Sequence, residues 1–369
     1  MKACVTGGTG YVGAHVVKLL AERAHEVRVT YREAQRLDRL TGVEFEPVSA
    51  DVLDRSSMRR AVRGQDVIFH TAGFVGSRPR ELLWQMNALA PRLVVEAAAA
   101  EQVRRVVLTS SVAAVGPALD GQVTDETNVY RSGGMSLAYG DAKHEGEAEA
   151  LAAGARLGVE VVVVNPSYVL GVPVSRAHAG ETSTRIVGNY LLGRLPAVVD
   201  GAVNVVDVVD VAKGHLLAAE RGHPGERYIL GGVNLSWPEL IDRIAVMSGT
   251  SYPLLVLPTE VAYAARMQEG LRVRGPIAPD AFMLMAQSWR YSSKKARRVL
   301  GYRTRPLDKT LRETIDWYHE LVSSGAFRGR GASSLSLASA GMRMARRFGM
   351  VGGLRAAERY ANRRLIAGA

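Results

Sequence analysis

A chain of 369 residues is too long for one small core and suggests one large or two modest domains. Its composition, 47% hydrophobic and 22% charged, is that of a soluble globular protein and excludes disorder over most of the length. The net charge of +11 is uneven: residues 324–369 hold nine arginines and one acid, Glu358, and so carry +8 of it. The body is nearly neutral, and the sequence suggests no nucleic-acid partner.

The single cysteine, Cys4, sits in an apolar run, so no internal disulfide can form. That fits a reducing cytoplasm. Met1-Lys2 runs straight into a strand-like segment with no apolar signal region before it, and the longest apolar runs, such as Val161–Val164, are too short to span a bilayer. The eight histidines are scattered, with no metal-ligand cluster and no internal repeat.

Lys2–Thr6 reads as a short buried strand, followed by a turn with glycines at Gly7, Gly10 and Gly13 and then a helix-periodic run from Ala14 to Glu22. Placed between a strand and a helix, this spacing suits a pyrophosphate at the helix N-terminus: residues without Cβ let backbone N–H groups approach it. Thr9, Tyr11 and Val12 complete the turn. Glu26–Tyr31 is a second strand, ending Thr30-Tyr31-Arg32 where a site preferring NAD would place an acid for the ribose. Arg32 suits a 2′-phosphate, so NADP(H) is expected, with NAD(H) left open because Glu33 stands beside it.

A third strand over Val43–Val48 leads to Asp51-Val52, a helix follows over Ser56–Val62, and a fourth strand over Asp66–His70 ends in Thr71-Ala72-Gly73. Small residues there allow close approach of a cofactor. His70 reads as structural or cofactor-lining rather than catalytic. A helix is expected to open at Asn87 and run to Ala100, with Ala90-Pro91 tolerated in a first turn rather than breaking it. The fifth strand, Val106–Leu108, ends in Thr109-Ser110-Ser111. Further on, Tyr139 and Lys143 are four apart, hence on one helix face. An ammonium beside a phenol lowers its pKa and fits it to pass a proton to or from a carbonyl oxygen; the competing reading is a solvated surface pair.

In order and spacing, Gly7/Gly10/Gly13, Asp51, His70–Gly73, Asn87, Thr109–Ser111 and Tyr139/Lys143 resemble the extended short-chain dehydrogenase/reductases, the NAD-dependent epimerase/dehydratase type. A sixth strand at Val159–Val164 with Asn165-Pro166-Ser167-Tyr168-Val169-Leu170-Gly171, together with Val205–Ala212, Arg227–Gly232 and Tyr291–Tyr302, resembles the dihydroflavonol 4-reductase-like branch. Residues 184–232 are also similar to a hopanoid-associated sugar epimerase-like group. The likeness covers roughly residues 2–320.

The resemblance implies an α/β Rossmann fold, a doubly wound parallel sheet with a smaller, interleaved α+β substrate domain. It also implies a Ser-Tyr-Lys site. Ser111 would bond the substrate oxygen, with Ser110 as fallback. Tyr139 would be the general acid/base, and Lys143 would lower the tyrosine pKa and hold the nicotinamide ribose. Besides the glycine turn, Arg32 and these two, Asp51, Val52, Thr71, Ala72, Gly73, Asn165, Pro166 and Ser167 would bind cofactor. The substrate would be a small carbonyl compound or the matching alcohol, with a sugar epimerase as the alternative activity and a homodimer compatible with the family. One departure from the relatives is Ala90-Pro91, where they usually carry Gly-Thr.

The expected cofactor domain spans residues 1–175, with 200–232 returning to it; Val203–Asp207 and Arg227–Leu230 both read as strands of the same sheet. Residues 176–199 and 233–323 form the substrate domain, with helices near Thr184–Leu192, over Trp237–Ser248 behind Ser236, and over Leu307–Val322. Loop chemistry over residues 112–138 and a Met-rich stretch over Met267–Met285 are expected to line its pocket. A Gly/Ser linker after Ser324 leads to a basic helical tail over residues 324–369. There Met344, Phe348 and Val351 share one face, and Leu354, Ala357, Ala361 and Leu365 another. Such helices bind anionic membrane surfaces, where a lipid-like substrate would be met, or else pack on the protein itself or on a second subunit.

Overall fold

The computed structural model describes residues 1–76, 79–119, 121–131, 137–262, 279–328, 334–361, 364 and 366–367. At its centre lie seven parallel strands: β1 (Lys2–Thr6), β2 (Glu26–Tyr31), β3 (Glu46–Ser49), β4 (Val67–His70), β5 (Arg105–Thr109), β6 (Glu160–Pro166) and, much later in the chain, β10 (Arg227–Leu230). Their order across the sheet is β10-β6-β5-β4-β1-β2-β3.

The inner strands β4, β5 and β6 carry apolar runs because the sheet is buried on both faces there, whereas the edge strand β3 is mostly exposed. Ala3 and Val5 join one core cluster while Cys4 between them joins another; Val67 and Phe69 face with the former, Ile68 with the latter. Helices α1 (Tyr11–Glu22) and α7 (Val208–Arg221) cover the first face through Val16, Val17, Leu20, Val211 and Leu216. Helices α2 (Arg55–Val62), α4 (Ala90–Ala100) and α5 (Ala138–Leu157) cover the second through Met58, Val94, Val95 and Ala150. Chain order reverses between β1 and β4, and the carboxyl ends of the strands flank a crevice there, the place where open parallel sheets bind ligands.

Two expectations fail in instructive ways. The helix before β5 does not open at Asn87. It starts as α3 (Arg80–Trp84), passes through a π turn over Gln85–Leu89, and resumes as α4 with Pro91 near its start. Pro91 lacks the N–H that would close an α turn onto Asn87, and the wider turn takes up that loss. Second, the strand at 203–207 does not join the main sheet. As β9 (Ala202–Asp207) it pairs with β7 (Tyr168–Leu170) and β11 (Val233–Ser236) in a separate sheet. Only β10 returns, beside β6.

Helix α6 covers Arg185–Leu191. The capping box expected at Ser236 forms: its hydroxyl accepts from the Glu239 N–H while Glu239 returns to the Ser236 N–H, starting α8 at Trp237–Ser248. A third sheet joins β8 (Ala197–Val199), β12 (Leu254–Leu257) and β13 (Ile366–Ala367). The last of these lies almost at the chain's end, and no sequence signal marked it.

Candidate active site

The glycine turn is a steric solution. Gly7 has φ +68°, and a Cβ there would lie 2.5 Å from the Ala72 nitrogen; at Gly13 it would lie 2.3 Å from the Gly7 carbonyl and 2.4 Å from Thr71 Oγ1. Side chains are therefore excluded where β1, β4 and α1 converge. Gly10 caps α1 without a side-chain hydrogen bond, so the first-turn N–H groups of that helix face the crevice with no side-chain acceptor. This arrangement fits a dinucleotide pyrophosphate.

The cleft is lined by Gly7, Thr9 and Gly10, by Thr30, Tyr31, Arg32, Glu33 and Arg36 at one end, and by Ala50, Val52, Thr71, Ala72, Gly73 and Met86 along its floor. Tyr11 instead donates its hydroxyl to the Gly171 carbonyl at 2.9 Å, tying the segment after β7 down. Asp51 is used locally: its Oδ1 accepts from the Leu53 N–H at 2.9 Å and its Oδ2 lies 3.8 Å from Arg32. Glu33, the alternative ribose ligand, is engaged by Arg36 at 2.9 Å. Arg36 brings a second guanidinium to this end and was missed in the sequence.

The floor continues into the second half of the site. His70 Nδ1 and the Thr6 hydroxyl are 2.7 Å apart, and burial holds the imidazole neutral, its pKa pushed down to about 3 with help from the nearby Lys143. Asn87 clasps the Phe74 backbone with its amide, accepting at 3.2 Å and donating at 2.8 Å. Helix α5 approaches so closely that a Cβ on Gly146 would lie 1.9 Å from the Asn87 carbonyl. This contact brings the helix face bearing Tyr139 and Lys143 to the crevice.

Ser111, at the end of β5, has extended backbone and accepts from the Ala113 N–H at 3.1 Å. Its side chain is also in hydrogen-bonding reach of the Tyr139 phenol. Ser110, the fallback, has its hydroxyl buried without a partner among the described residues. Burial raises the Tyr139 pKa to about 12, and the Ser111 bond opposes that. The expected lowering by Lys143 is absent. The ammonium instead donates to the Thr109 carbonyl at 3.2 Å, and a Cβ on Gly73 would meet it at 3.2 Å, so it sits on the cleft floor rather than against the phenol. Burial lowers the Lys143 pKa to about 8, with Glu147 opposing.

Asn165 also departs from expectation. Its Nδ2 donates to the Ser111 carbonyl at 2.9 Å and to Glu147 Oε1, so its amide braces the site from behind. Pro166 ends β6 opposite Leu230, and the buried Ser167 hydroxyl has no partner among the described residues. Beside the site, Val112, Val115 and Leu137 pack with Phe282, Met283, Trp289 and Tyr291 in one apolar cluster. Gly133-Gly134 and most of the Met-rich stretch lie outside the described residues.

A doubly wound parallel sheet with a glycine turn between its first strand and first helix is the fold of the extended short-chain dehydrogenase/reductases, and Ser111, Tyr139 and Lys143 lie where the sequence resemblance expects them. The chain belongs to the NAD dependent epimerase/dehydratase family, whose profile matches residues 3–231. It is 34% identical to a putative dihydroflavonol 4-reductase of Synechocystis sp., over 85% of this chain and 93% of that protein. It is 28% identical to the sterol demethylase protein B of Methylococcus capsulatus, over 87% and 99% of the two chains. Among solved structures, a nucleoside-diphosphate-sugar epimerase from Pseudomonas aeruginosa is similar at a TM-score of 0.74 and 28% identity, covering 89% of this chain and 99% of that one. The family is, by its description, NAD dependent.

Proposed function

We propose that the protein is an NADP(H)-dependent reductase of a ketone or aldehyde with an apolar body. The observation that carries this reading is the placement of the phenol: Tyr139 is buried at the cleft near Ser111, its pKa is pushed up to about 12, and it carries its proton at neutral pH. It can therefore give a proton to an oxygen that is gaining charge. NADPH, when bound, would supply a hydride to the carbonyl carbon. Ser111 orients the carbonyl oxygen, Tyr139 donates the proton to it, and the product is the alcohol. Lys143, charged below about pH 8, holds the nicotinamide ribose. Gly7, Thr9, Gly10, Val12 and Gly13 take the pyrophosphate, and Val52, Thr71, Ala72 and Gly73 the adenosine and ribose side. Asp51, Tyr11 and Asn165 act on the cofactor indirectly, through the contacts described above.

At the adenosine end Arg36 pairs with Glu33, which leaves Arg32 to favour a 2′-phosphate over a free ribose hydroxyl. The apolar cluster beside Ser111 and Tyr139 favours a hydrophobic substrate, and the sterol and flavonol names of the relatives agree.

The tail extends this reading to location. Its last strand and Arg364, paired to Asp242 at 2.8 Å, fasten it to the body. Its two helices, Ser334–Arg347 and Met350–Ala361, meet at a turn where Met344, Phe348 and Met350 are all exposed, whereas Val351 is buried. Glu358, its one acid, is buried too, so the exposed charge there is cationic. An exposed apolar apex on an arginine-rich segment suits an anionic membrane at which a lipid-like substrate is met.

The test follows NADPH absorbance over a panel of apolar ketones and aldehydes, with nucleotide sugars as the contrasting set. Net NADPH consumption on the apolar carbonyls is expected. Interconversion of nucleotide sugars with no net oxidation would replace this reading by the epimerase one.

A further inference from the structure

Lys143 is buried on the cleft floor, and something must keep an ammonium charged there. Its own helix provides the group. Glu147 lies one turn further along α5 and is 4% exposed. Its Oε1 accepts from the Asn165 amide, which also holds the Ser111 carbonyl. Its Oε2 lies 3.4 Å from the Arg227 guanidinium on β10. Arg227 in turn donates to the Glu126 carbonyl at 2.7 and 3.1 Å, on the loop between Ser111 and Tyr139. The Glu126 carboxylate accepts from the Ile229 N–H at 2.8 Å. One buried carboxylate thus acts on the lysine through its charge, on the Ser111 backbone through Asn165 and on the loop before Tyr139 through Arg227.

We infer that Glu147 is the positioning residue of this site, holding Lys143 charged and fixing the Ser111 turn through Asn165. The inference rests on the reductase reading only for its consequence, because the charge coupling is a property of the fold. The titratable groups whose charge reaches Lys143 are Glu147 on its own helix and His70 at the end of β4; His70 stays neutral. Arg227 faces Glu147 from β10 and holds the Glu126 backbone. Removing the carboxylate charge leaves burial unopposed and makes the ammonium release its proton at lower pH. Removing Arg227 frees the carboxylate charge for the lysine and acts in the opposite sense.

The experiment is an NMR titration of protein carrying 13Cε-labelled lysine, with the Lys143 signal assigned by Lys143→Arg. The expected midpoint is near pH 8 in the parent. Glu147→Gln should lower it by at least about one unit, a tenfold change in proton affinity. Arg227→Met should raise it, and it remains informative if the glutamine variant does not fold. Midpoints within a few tenths of a unit of the parent in the folded variants would overturn the inference. NADPH affinity against pH, read by cofactor fluorescence, is the second arm. A shifted lysine midpoint with no matching shift in NADPH affinity leaves Glu147 its place and removes Lys143 from the cofactor site.

Discussion

The two halves of the crevice are built by different physics. At the glycine turn, shape decides. Gly7 and Gly13 are excluded from carrying a Cβ by backbone atoms 2.3–2.5 Å away. At the Ser111–Lys143 end, burial decides. The same side chains exposed on a helix would be an ordinary phenol and an ordinary amine. Removed from water, they move apart in opposite senses from their usual values, the phenol up to about 12 and the amine down to about 8. Damage to the first half should therefore appear as lost packing and cofactor binding, and damage to the second as lost turnover or altered pH dependence.

The sharpest separation is Tyr139→Phe. It removes only a hydroxyl, so NADPH affinity should hold while turnover falls by about 10²–10⁴-fold. Near-parental turnover would take the acid role from Tyr139. The next effect is on stability. Burial holds His70 at about 3 and His215 at about 4, against an ordinary 6.5. Both are neutral when folded, so the unfolded chain alone binds their protons below 6.5. The stability they leave intact above that pH is lost as pH falls toward about 4, by about 1.4 kcal/mol per pH unit for each. Urea unfolding across this range should show that slope, and His70→Asn, which cannot titrate, should make it shallower.

Gly13→Ala tests the steric half. Forcing a methyl against the Gly7 carbonyl should cost about 1–3 kcal/mol of stability and weaken cofactor binding, without moving any pH midpoint. Thermal melts with and without NADPH check both. Arg32→Ala should weaken NADPH by about tenfold, the loss of one charge-assisted contact, and leave NADH unchanged. Equal affinity of the parent for the two cofactors would return Glu33 to the ribose. The smallest effect concerns the tail. Cutting the chain at Ser323 would also strip β13 from the edge of β12, so substitution is cleaner than truncation. Met344→Ser with Phe348→Ser and Met350→Ser should reduce co-sedimentation with anionic vesicles several-fold and leave turnover on a soluble carbonyl intact. Vesicle binding equal to the parent's would make the exposed apex a contact for a second subunit instead.

Much of this was local enough to read directly. β1, β2, the glycine turn, the capped helix behind Ser236 and the Tyr139/Lys143 spacing depend on neighbours within a few residues. Strands buried on both faces announce themselves as apolar runs. What escaped depends on partners far away in the chain. Whether 203–207 joins the main sheet or pairs with β7 and β11 is a choice between distant edges, and its apolar pattern suits either. The π turn before α4 follows from Pro91, but where the helix begins was set by packing upstream. Asn165 reads as a cofactor contact until Ser111 and Glu147 are seen on its amide.

The sequence by itself determined the family, the cofactor turn, the Ser111, Tyr139 and Lys143 candidates and the concentration of charge in the tail, because each is a matter of residue type at short spacing. Only the tertiary structure decided the direction in which Tyr139 is shifted, the use of Asn165 and Glu147 as braces, and the anchoring of the tail through β13. The physical reason is the same in each case. A pKa and a strand pairing are set by what surrounds a group once water has been removed, and those surroundings come from residues tens to hundreds of positions away.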